Sequence, residues 1–563
     1  MRTSAMARPP RLSPPPAPAR LTRALDGARR RPVVTTAGLA GALGVAFLLA
    51  PPMGTDLSAQ VARAAFASRH GATPVDFGWY GGVSPYGYSL VTPPLMALFG
   101  PRPVGAVAMV IAAIAFTVIL GRTQAVRPVL GGALGALCLA GNLVSGRITY
   151  AVGVAIGLWA LVALTAWPAP PSGARARPDG RSRWRSVAAV AGAPLAALLA
   201  SAASPVAGLF VGLAGVALAL GDRTRWRAGL AVAGAAAVPL GVTGLVFGDG
   251  GWMNISALDA ARACSVSLLV AVVVPRRPVR IGALLSAAGV ALAYAVPTPV
   301  GLNATRLAVM FALPLLAAYG QLPRHRFLPA PAGLAALLVI VAIWQPPVSR
   351  VDLRNAGDPT ADPGYFRPLL DELSRRDPAG RIEVVPTTNY WEAAYVPQRV
   401  PLARGWLRQA DLARNPLFFD GTLDAAAYES WLRDNAVAYV AVADAPPSWV
   451  GRREAELIAH GLPYLTEVWR DRHWLLYAVR DPAPMVAAPG QLVRADAARV
   501  VFDVDQPGEV LVRVRWSRWL RLSGPEGCLA AGERGWTVVR VRTPGRYVVS
   551  GGLRPGPRCG PVR

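Results

Sequence analysis

Asp56 is an isolated carboxylate that closely follows a long apolar segment. The segment 34-VTTAGLAGALGVAFLLAPPM-53 precedes it, and 57-LSAQVARAAFASRH-70, which has the pattern of an amphipathic helix, follows it. A carboxylate in this position could take a proton from a hydroxyl group, and general-base catalysis contributes roughly 10²–10⁴-fold. It could equally accept hydrogen bonds from the free N–H groups at the start of that helix, because Asp is a favoured N-cap residue. The sequence leaves both roles open.

Acidic residues are rare over the first 350 positions of the chain. Of the 32 Asp and Glu residues, 25 lie after that point, and the other seven are all Asp. Those seven are Asp26, Asp56, Asp76, Asp179, Asp222, Asp249 and Asp259. None of them lies within an apolar segment, so each is expected in a loop.

Long apolar segments fill residues 33–345 and predict a transmembrane domain. A helix needs about 20 apolar residues to cross a bilayer. About eleven spans are expected, at residues 34–53, 103–120, 127–143, 148–167, 187–203, 205–220, 228–247, 260–275, 281–297, 306–320 and 327–345. The segment 89-SLVTPPLMALFG-100 is shorter and contains two prolines, so it is expected to lie along the membrane surface. The predicted fold is therefore mainly α, a polytopic membrane helix bundle.

The distribution of Arg predicts which side of the membrane each loop occupies. If 89–100 does not cross, the loops that follow it on one side of the membrane carry 15 Arg residues, and those that follow it on the other side carry three, Arg147, Arg262 and Arg306. Cytoplasmic loops are enriched in basic residues. The count therefore predicts a multi-pass plasma-membrane protein with a cytoplasmic N-terminus and an extracytoplasmic C-terminal part. The first outer loop, residues 54–102, contains both Asp56 and Asp76.

Three further regions are distinguished by composition. Residues 1–32 are rich in Pro and Arg and predict a disordered cytoplasmic arm. Residues 346–485 alternate helical and strand patterns and predict an α/β domain. Residues 486–563 alternate at period two and predict a β-rich domain, a small sandwich. Cys528 and Cys559 lie in that domain, and an oxidising compartment favours a disulfide between them over two free thiols.

The net charge of +26 does not indicate a nucleic-acid-binding protein. The chain has no Lys, so all 58 basic residues are Arg, a composition that GC-rich coding produces. The Arg residues also cluster in short loops between apolar segments, where membrane topology explains them. No nucleic-acid partner is therefore expected.

The long outer loop resembles the corresponding loop of the GT-C superfamily of polytopic glycosyltransferases. The resemblance is carried by Asp56, by DLSAQVARAAFASRHG, and by FGWYGGVSPYGYSLVTPPLMALFG, which leads to a short surface helix. The tail segments YFRPLLDEL, PLARGWLRQADLARNPLFF and YESWLRDNAVAYVAV resemble actinobacterial members of this group. In that superfamily the loop Asp is the catalytic base or a carboxylate beside a metal. The resemblance implies this role for Asp56, Asp76 as the second acidic position, and a divalent cation as the one cofactor to consider.

The implied activity is transfer of a sugar from a polyprenyl-phosphate donor to an extracytoplasmic cell-envelope acceptor, a glycan or a lipid. The donor phosphate leaves without an acid if cations hold it, and a lipid-linked donor requires a site at the membrane surface. Asp56 and Asp76 are the predicted catalytic residues. The predicted substrate-binding residues are Arg63, Trp79, Tyr80, Tyr86, Arg306, Arg404 and Trp406.

Each of these assignments has an alternative. Arg306 could be a helix-end residue that snorkels to the interface, and the aromatic residues could form an interfacial belt. Arg404 and Trp406 could serve only the folding of the tail. The competing function is a transporter or lipid flippase. Transporters commonly contain internal repeats and ionisable groups at mid-membrane. The sequence shows no repeat and no acidic residue in any predicted span. A sugar-binding protein without catalysis is a third possibility.

Overall fold

The computed structural model describes residues 31–165, 180–323 and 329–560. The predicted cytoplasmic arm lies almost wholly outside these residues, as does most of the predicted loop 168–186. Within the described ranges, a helical part extends to Trp344 and a mixed α/β part follows.

The helical part contains the predicted apolar segments as helices. Its helices are α1 (Pro32–Leu49), α2 (Leu57–His70), α3 (Thr92–Phe99), α4 (Pro101–Arg122), α5 (Pro128–Val144), α6 (Ile148–Thr165), α7 (Gly180–Ala203), α8 (Pro205–Gly221), α9 (Trp226–Val246), α10 (Ala257–Val273), α11 (Arg277–Ala295), α12 (Arg306–Tyr319) and α13 (Ala330–Trp344). A helix overlaps every one of the eleven predicted spans. Pro at the first or second position begins many of them, as expected for a residue whose φ suits the helix start and which has no N–H to satisfy.

Six of these helical segments are long and apolar enough to cross a membrane. They are α1, α4, α6, α9, α11 and the segment Gly301–Tyr319, which includes α12. Shorter apolar helices lie at Pro128–Val144, Val190–Ala203, Pro205–Gly221 and Ala330–Trp344. The chain is thus a membrane protein with several spans, and the total of about eleven stays a prediction.

The long outer loop contains two helices of different kinds. The amphipathic helix predicted at 57–70 is α2, and it is largely buried between the membrane helices and the C-terminal part. α3 has eight residues, so it extends about 12 Å at 1.5 Å per residue. That is well short of the roughly 30 Å of a bilayer core, which agrees with the prediction that 89–100 does not cross.

Two glycines allow the start of this loop to lie very close to the α5–α6 turn. Gly54 (φ +92°) and Gly146 (φ +76°) both adopt the left-handed conformation, which costs other residues more than Gly. A Cβ on Gly146 would lie 2.4 Å from the Leu57 backbone nitrogen, and one on Gly54 would lie 2.3 Å from the Ser145 carbonyl carbon. The absence of side chains therefore lets the start of α2 rest directly on residues 145–147.

The first C-terminal unit is the predicted α/β domain. Its helices include α14 (Arg350–Arg354), α15 (Pro363–Arg376), α16 (Glu392–Tyr395), α17 (Arg408–Arg414), α18 (Ala425–Asp434) and α19 (Arg452–Ala459). Its strands are β1 (Arg381–Val384), β2 (Val437–Ala443), β3 (Leu465–Arg470) and β4 (Trp474–Val479), in the order β1-β2-β4-β3. β1 and β2 run parallel, whereas β4 is antiparallel to both of its neighbours. The segment after β1 lies against α2 through α16, Asn389 and Gln398.

The second unit is a sandwich of two antiparallel sheets. Its strands are β5 (Gly490–Ala495), β6 (Arg499–Val504), β7 (Gly508–Arg515), β8 (Leu520–Ser523), β9 (Gly527–Ala531), β10 (Trp536–Val541) and β11 (Gly545–Gly551). The sheets have the orders β7-β10-β9 and β5-β6-β11-β8, and their alternate residues share one core. Cys528 and Cys559, the pair predicted from the sequence, form a disulfide with Cα atoms 5.0 Å apart.

The β sandwich is anchored to the membrane part through the long outer loop. Val75 and Phe77 of that loop enter the core of the sandwich. The Trp519 indole stacks on Phe247, with ring centroids 5.0 Å apart, and its Nε1 donates to the carbonyl of Val246 at the end of α9. The β sandwich is therefore attached both to the loop that carries Asp56 and to the end of α9.

Candidate active site

Asp56 lies seven residues after the end of α1 and immediately before α2, and its side chain does not cap α2. Its backbone N–H donates to the carbonyl of Ser145 at 3.2 Å. The residue occupies the N-cap position, but its carboxylate accepts no hydrogen bond from the helix N–H groups. The capping explanation for this carboxylate is wrong, because no N–H group of α2 bonds to it. Arg147 from the α5–α6 turn and Arg306 from α12 approach it instead.

Two guanidinium groups hold the Asp56 carboxylate instead. Arg147 Nε lies 3.4 Å from Asp56 Oδ2, and Arg306 Nη2 lies 3.4 Å from the same oxygen. The Asp56 side chain is 13% exposed. Arg147 comes from the glycine-dependent turn before α6, while Arg306 begins α12. Within the described part of the chain, Oδ1 has no hydrogen-bond partner, so one oxygen remains able to accept a proton.

A third arginine, Arg63, lies on α2 two turns beyond Asp56. Its guanidinium carbon is 4.0 Å from the centroid of the Tyr88 ring and 5.5 Å from that of Trp79. Its Nε and Nη2 are buried without a hydrogen-bond partner among the described residues. A buried donor that lacks an acceptor is costly, so this group is suited to an anionic ligand.

Tyr88 links Asp56 to Arg63. Its hydroxyl accepts from Gln60 Nε2 at 3.0 Å, and Gln60 Oε1 accepts from Thr149 Oγ1 at 2.6 Å. Burial raises the pKa of Tyr88, and the negative charge of Asp56 raises it further. The Tyr88 hydroxyl is therefore neutral at physiological pH and can itself donate a hydrogen bond.

The C-terminal part covers this cluster. Trp406 Nε1 donates to the carbonyl of Thr55 at 2.7 Å, and its ring meets Tyr88 edge to face at 6.2 Å. Trp79 Nε1 donates to the carbonyl of Ala393 at 3.0 Å. The structure thus brings Trp406 beside Asp56, as predicted, whereas Trp79 is buried and serves to join the loop to α16.

Asp76 lies beside the cluster in a different environment. Its Oδ1 accepts from the Gly78 N–H at 2.8 Å, and its backbone pairs with Val83. Burial raises the pKa of Asp76 to about 7 even though the Gly78 hydrogen bond and the charge of Arg63 oppose the rise. It makes no ion pair with the arginines that hold Asp56, so the two predicted catalytic carboxylates occupy separate positions.

Asp249 is also part of the long-loop assembly, which the sequence did not predict. Both of its carboxylate oxygens lie 2.9 Å from the Ser84 N–H, and Arg414 Nη2 lies 3.8 Å from Oδ1. Burial raises the pKa of Asp249 to about 6. It joins the loop after α9 to residues 54–102 and to α17, so it is part of the structure that surrounds the site.

Arg404 is a correction to the predicted binding residues. It is 2% exposed and lies inside the α/β domain, where Nη2 is 2.9 Å from Asp411 Oδ2 and Nη1 is 3.2 Å from Glu454 Oε2. Glu383 is also near, at 3.7 Å. Burial and the neighbouring Glu454 hold the pKa of Glu383 well above its usual range. Arg404 neutralises buried carboxylates and does not face a substrate.

Two of the predicted aromatic residues are likewise engaged in packing. Tyr80 is 2% exposed and donates its hydroxyl proton to the carbonyl of Gly405 at 2.5 Å. Tyr86 is half-buried and meets Phe247 edge to face at 5.1 Å. Tyr80 is therefore unavailable for stacking on a sugar, and Tyr86 contributes to the contact between the loop and the end of α9.

The residues at the site do not suit a divalent cation. Among residues 31–165, 180–323 and 329–560 there is no group of three or more His, Cys, Asp or Glu side chains placed to hold a metal ion. Asp56 is a single carboxylate between two guanidinium groups, whereas Mg²⁺ and Ca²⁺ take several oxygen ligands. No step below is assigned to a metal.

The fold and the site together define a class: a polytopic membrane protein with a large C-terminal part that covers a cationic cluster around Asp56. The profile described as "Domain of unknown function (DUF8823)" matches residues 487–560, the β sandwich. Among curated proteins, no relative matches the chain.

Two solved structures are similar to the chain over most of its length. One is the crystal structure of ArnT from Cupriavidus metallidurans in the apo state, with 12% identity, a TM-score of 0.45, and coverage of 81% of this chain and 98% of that one. The other is ArnT from the same organism bound to undecaprenyl phosphate, with 12% identity, a TM-score of 0.35, and coverage of 79% and 97%. At this level of similarity, function is argued from the site itself.

Proposed function

We propose that the chain is a GT-C-like glycosyltransferase that transfers a sugar from a polyprenyl-phosphate donor to an extracytoplasmic cell-envelope glycan or lipid. The observation that carries this proposal is the Asp56 carboxylate, 3.4 Å from the guanidinium groups of both Arg147 and Arg306 at the end of a membrane helix. This arrangement supports the proposal because it puts a carboxylate that can act as the base next to two cations that can bind phosphate.

Phosphate binding is assigned to three arginines. Arg147 and Arg306 contact Asp56, and Arg63 has two buried nitrogens without acceptors in the described structure. Guanidinium groups match phosphate oxygens through planar, paired N–H donors. Two arginines, Arg147 and Arg306, beside the single Asp56 carboxylate give this cluster a net positive charge. That charge suits a phosphodiester donor, which gains a second negative charge when it leaves as polyprenyl phosphate.

The base is Asp56. It takes the proton from the acceptor hydroxyl as that oxygen forms a bond to the anomeric carbon of the donor sugar. The bond from the anomeric carbon to the phosphate oxygen breaks at the same carbon, and polyprenyl phosphate leaves with the electron pair. A donor phosphate that engages Arg147 and Arg306 also weakens their hold on Asp56 Oδ2, so donor binding prepares the carboxylate to accept the proton.

The proposal requires the site to face the outside of the cell. The Arg count of the loops supports an extracytoplasmic C-terminal part at the plasma membrane. A reporter that is active only outside the cytoplasm, fused after Arg350, should be active. Activity of a cytoplasm-specific reporter at the same position would place the site on the wrong side for this function.

The competing function is a transporter or lipid flippase. None of the six candidate spans contains an Asp or Glu residue, whereas ionisable groups within spans commonly mark transport pathways. The ionic cluster lies at a helix end beneath an extramembrane cover, which favours chemistry at the surface over passage through the bundle.

The substitution Asp56→Asn tests the enzyme directly. Asn keeps the volume but cannot take the proton, so transfer from a polyprenyl-phosphate donor should fall by at least about 100-fold, the low end of general-base catalysis. Asp259→Asn is the matched control, because Asp259 lies in the first turn of α10, where its side chain contacts Ser256. A normally expressed Asp56→Asn protein with the wild-type rate would refute the proposal.

A further inference from the structure

Arg408, Trp449 and Phe419 form a cluster on the surface of the α/β domain. The Arg408 guanidinium carbon lies 4.8 Å from the centroid of the Trp449 ring and 5.7 Å from that of Phe419. The two rings meet edge to face at 5.9 Å. Trp449 is 52% exposed. A large aromatic surface and a guanidinium group are therefore presented together to solvent.

The cluster is held rigidly. The Ser448 N–H donates to the carbonyl of Pro386 at 2.7 Å, and the Thr388 N–H donates to that of Pro446 at 3.1 Å, so the loop that carries Trp449 is tied to the segment after β1. Arg408 Nη2 donates to the hydroxyl of Tyr390 at 3.3 Å. A ring and a cation already fixed in place lose little entropy when a ligand binds.

Tyr390 and Tyr80 hold this region in a strained backbone conformation. Both have positive φ, +57° and +55° respectively, which is uncommon for residues other than Gly. The Tyr80 hydroxyl bonds to Gly405 and the Tyr390 hydroxyl to Arg408, at either end of the segment 405–408. A strained backbone conformation persists only where many surrounding contacts hold it in place, and such places are often ligand sites.

The cluster is connected to the active site by two short stretches of chain. Trp406 donates to the carbonyl of Thr55, beside Asp56, and Arg408 follows two residues later. Two residues extend at most about 7 Å. On the neighbouring segment, the carbonyl of Asn389 accepts from Ser58 Oγ at 2.8 Å, and Tyr390 comes next. Two short segments therefore lead from the base to the cluster.

We propose that Arg408, Trp449 and Phe419 form a subsite for a sugar chain that serves as the acceptor. The inference rests on the proposed function and deepens it, because it makes the acceptor an oligosaccharide longer than one residue. The C–H face of a sugar ring stacks on an aromatic ring such as Trp, and a guanidinium group bonds to the hydroxyl or carboxylate oxygens at its edge. The subsite holds the chain while its end hydroxyl reaches Asp56.

The experiment uses the full chain in lipid nanodiscs and a panel of linear α- and β-linked hexose and pentose hexasaccharides. Binding is measured by ligand-observed saturation-transfer NMR. We expect at least one member to bind the wild type, and Trp449→Ala to weaken its binding by roughly tenfold or more, as removal of a central aromatic contact does. Arg408→Gln should also weaken it. Leu553→Ala is the control, because Leu553 is equally exposed, at 52%, on the β sandwich.

The outcomes separate the subsite from the catalytic proposal. Asp56→Asn should bind the hexasaccharide as the wild type does. Loss of transfer in Asp56→Asn together with unchanged binding in Trp449→Ala would refute the subsite alone, as would failure of the whole panel to bind the wild type. Quenching of a fluorophore on Trp449→Cys by nitroxide lipids would also overturn it, because the ring would then be a membrane anchor. Full transfer in Asp56→Asn would refute the catalytic proposal alone.

Discussion

The glycine at position 146 should be essential to the geometry of the site. Gly146 has φ +76°, and a Cβ at this position would lie 2.4 Å from the Leu57 backbone nitrogen and 2.8 Å from the Leu57 Cα. Both obstructing atoms belong to backbone at the start of α2, so no side-chain rotation relieves the overlap. Gly146→Ala should therefore push α2 and the α5–α6 turn apart and move Arg147 away from Asp56.

Gly146→Ala should lower the free energy of unfolding for two reasons. The left-handed conformation costs an L-residue about 1–2 kcal/mol, and overpacking a well-filled site costs typically 1–3 kcal/mol. The sum, about 2–5 kcal/mol, is large for a single substitution. A displacement of 1 Å at a reacting centre can reduce the rate by about 100-fold, so we expect transfer to fall by more than the loss of folded protein explains.

The assay compares Gly146→Ala with Gly38→Ala in detergent. A Cβ on Gly38 in α1 would meet nothing within 4 Å, and Ala is the better helix former by about 1 kcal/mol, so this control should keep the wild-type unfolding midpoint and rate. Gly146→Ala should lower both. A Gly146→Ala protein with unchanged midpoint and unchanged transfer would show that the turn does not position Arg147.

Three further predictions concern single features of the structure. Burial raises the pKa of Asp76 to about 7, so its stabilising contribution is fully present below about pH 4 and is lost as pH rises through about 7. Asp76→Asn should therefore unfold at a higher temperature than the wild type at pH 8, and its unfolding temperature should change less between pH 4 and 7. The same pH dependence of the unfolding temperature in both proteins would refute the burial argument. Arg404→Gln leaves buried carboxylates unpaired and should destabilise the α/β domain by about 3–5 kcal/mol, which size-exclusion chromatography would detect as loss of folded protein. Arg470→Gln removes an arginine from an exposed ion pair and should fold normally. The Cys528–Cys559 bridge spans a sequence separation of 31 and should stabilise by roughly 3–4 kcal/mol in the chain-entropy model; intact-mass thiol counting without reductant should find neither of these thiols alkylated, and alkylation of both would contradict the pairing.

The helices of the site could be predicted from sequence because each is a local pattern. The amphipathic period of 57–70 and the short, proline-containing segment 89–100 predicted α2 and α3 at nearly their observed bounds. The proximity of Asp56 to the first span followed in the same way. These features depend on the order of apolar and polar residues and need no knowledge of distant contacts.

The partners of Asp56 could be predicted only in part. Arg306 was a candidate because it lies in a predicted outer loop, and its place at a helix end was the alternative explanation. Arg147 was noticed only in the count of Arg residues in the loops. Its contact with Asp56 depends on the close approach of Gly54 and Gly146, whose left-handed conformations are visible only in the folded chain. Pairs of Gly at the ends of consecutive segments are the one signal that the sequence offered.

Burial was the main source of error. Arg404 and Tyr80 have the types of side chain that bind sugars and phosphate, and both lie in motifs rich in such residues. The structure places each inside the protein with its polar atoms satisfied by Asp411 or Gly405. A sequence shows which groups can make hydrogen bonds, but in a mixed α/β domain it does not show which of them face inward.

The central claim assigns proton transfer to Asp56 and donor binding to its arginines. The most direct test measures both quantities on the same proteins: equilibrium binding of a polyprenyl-phosphate sugar in nanodiscs, and the rate of transfer. Asp56→Asn should bind the donor at least as tightly as the wild type, because the arginines are freed, yet transfer at least about 100-fold more slowly. Arg306→Gln should instead weaken donor binding. Loss of donor binding in Asp56→Asn with an unchanged rate at saturation would contradict the account, because Asp56 would then hold the donor and another group would be the base.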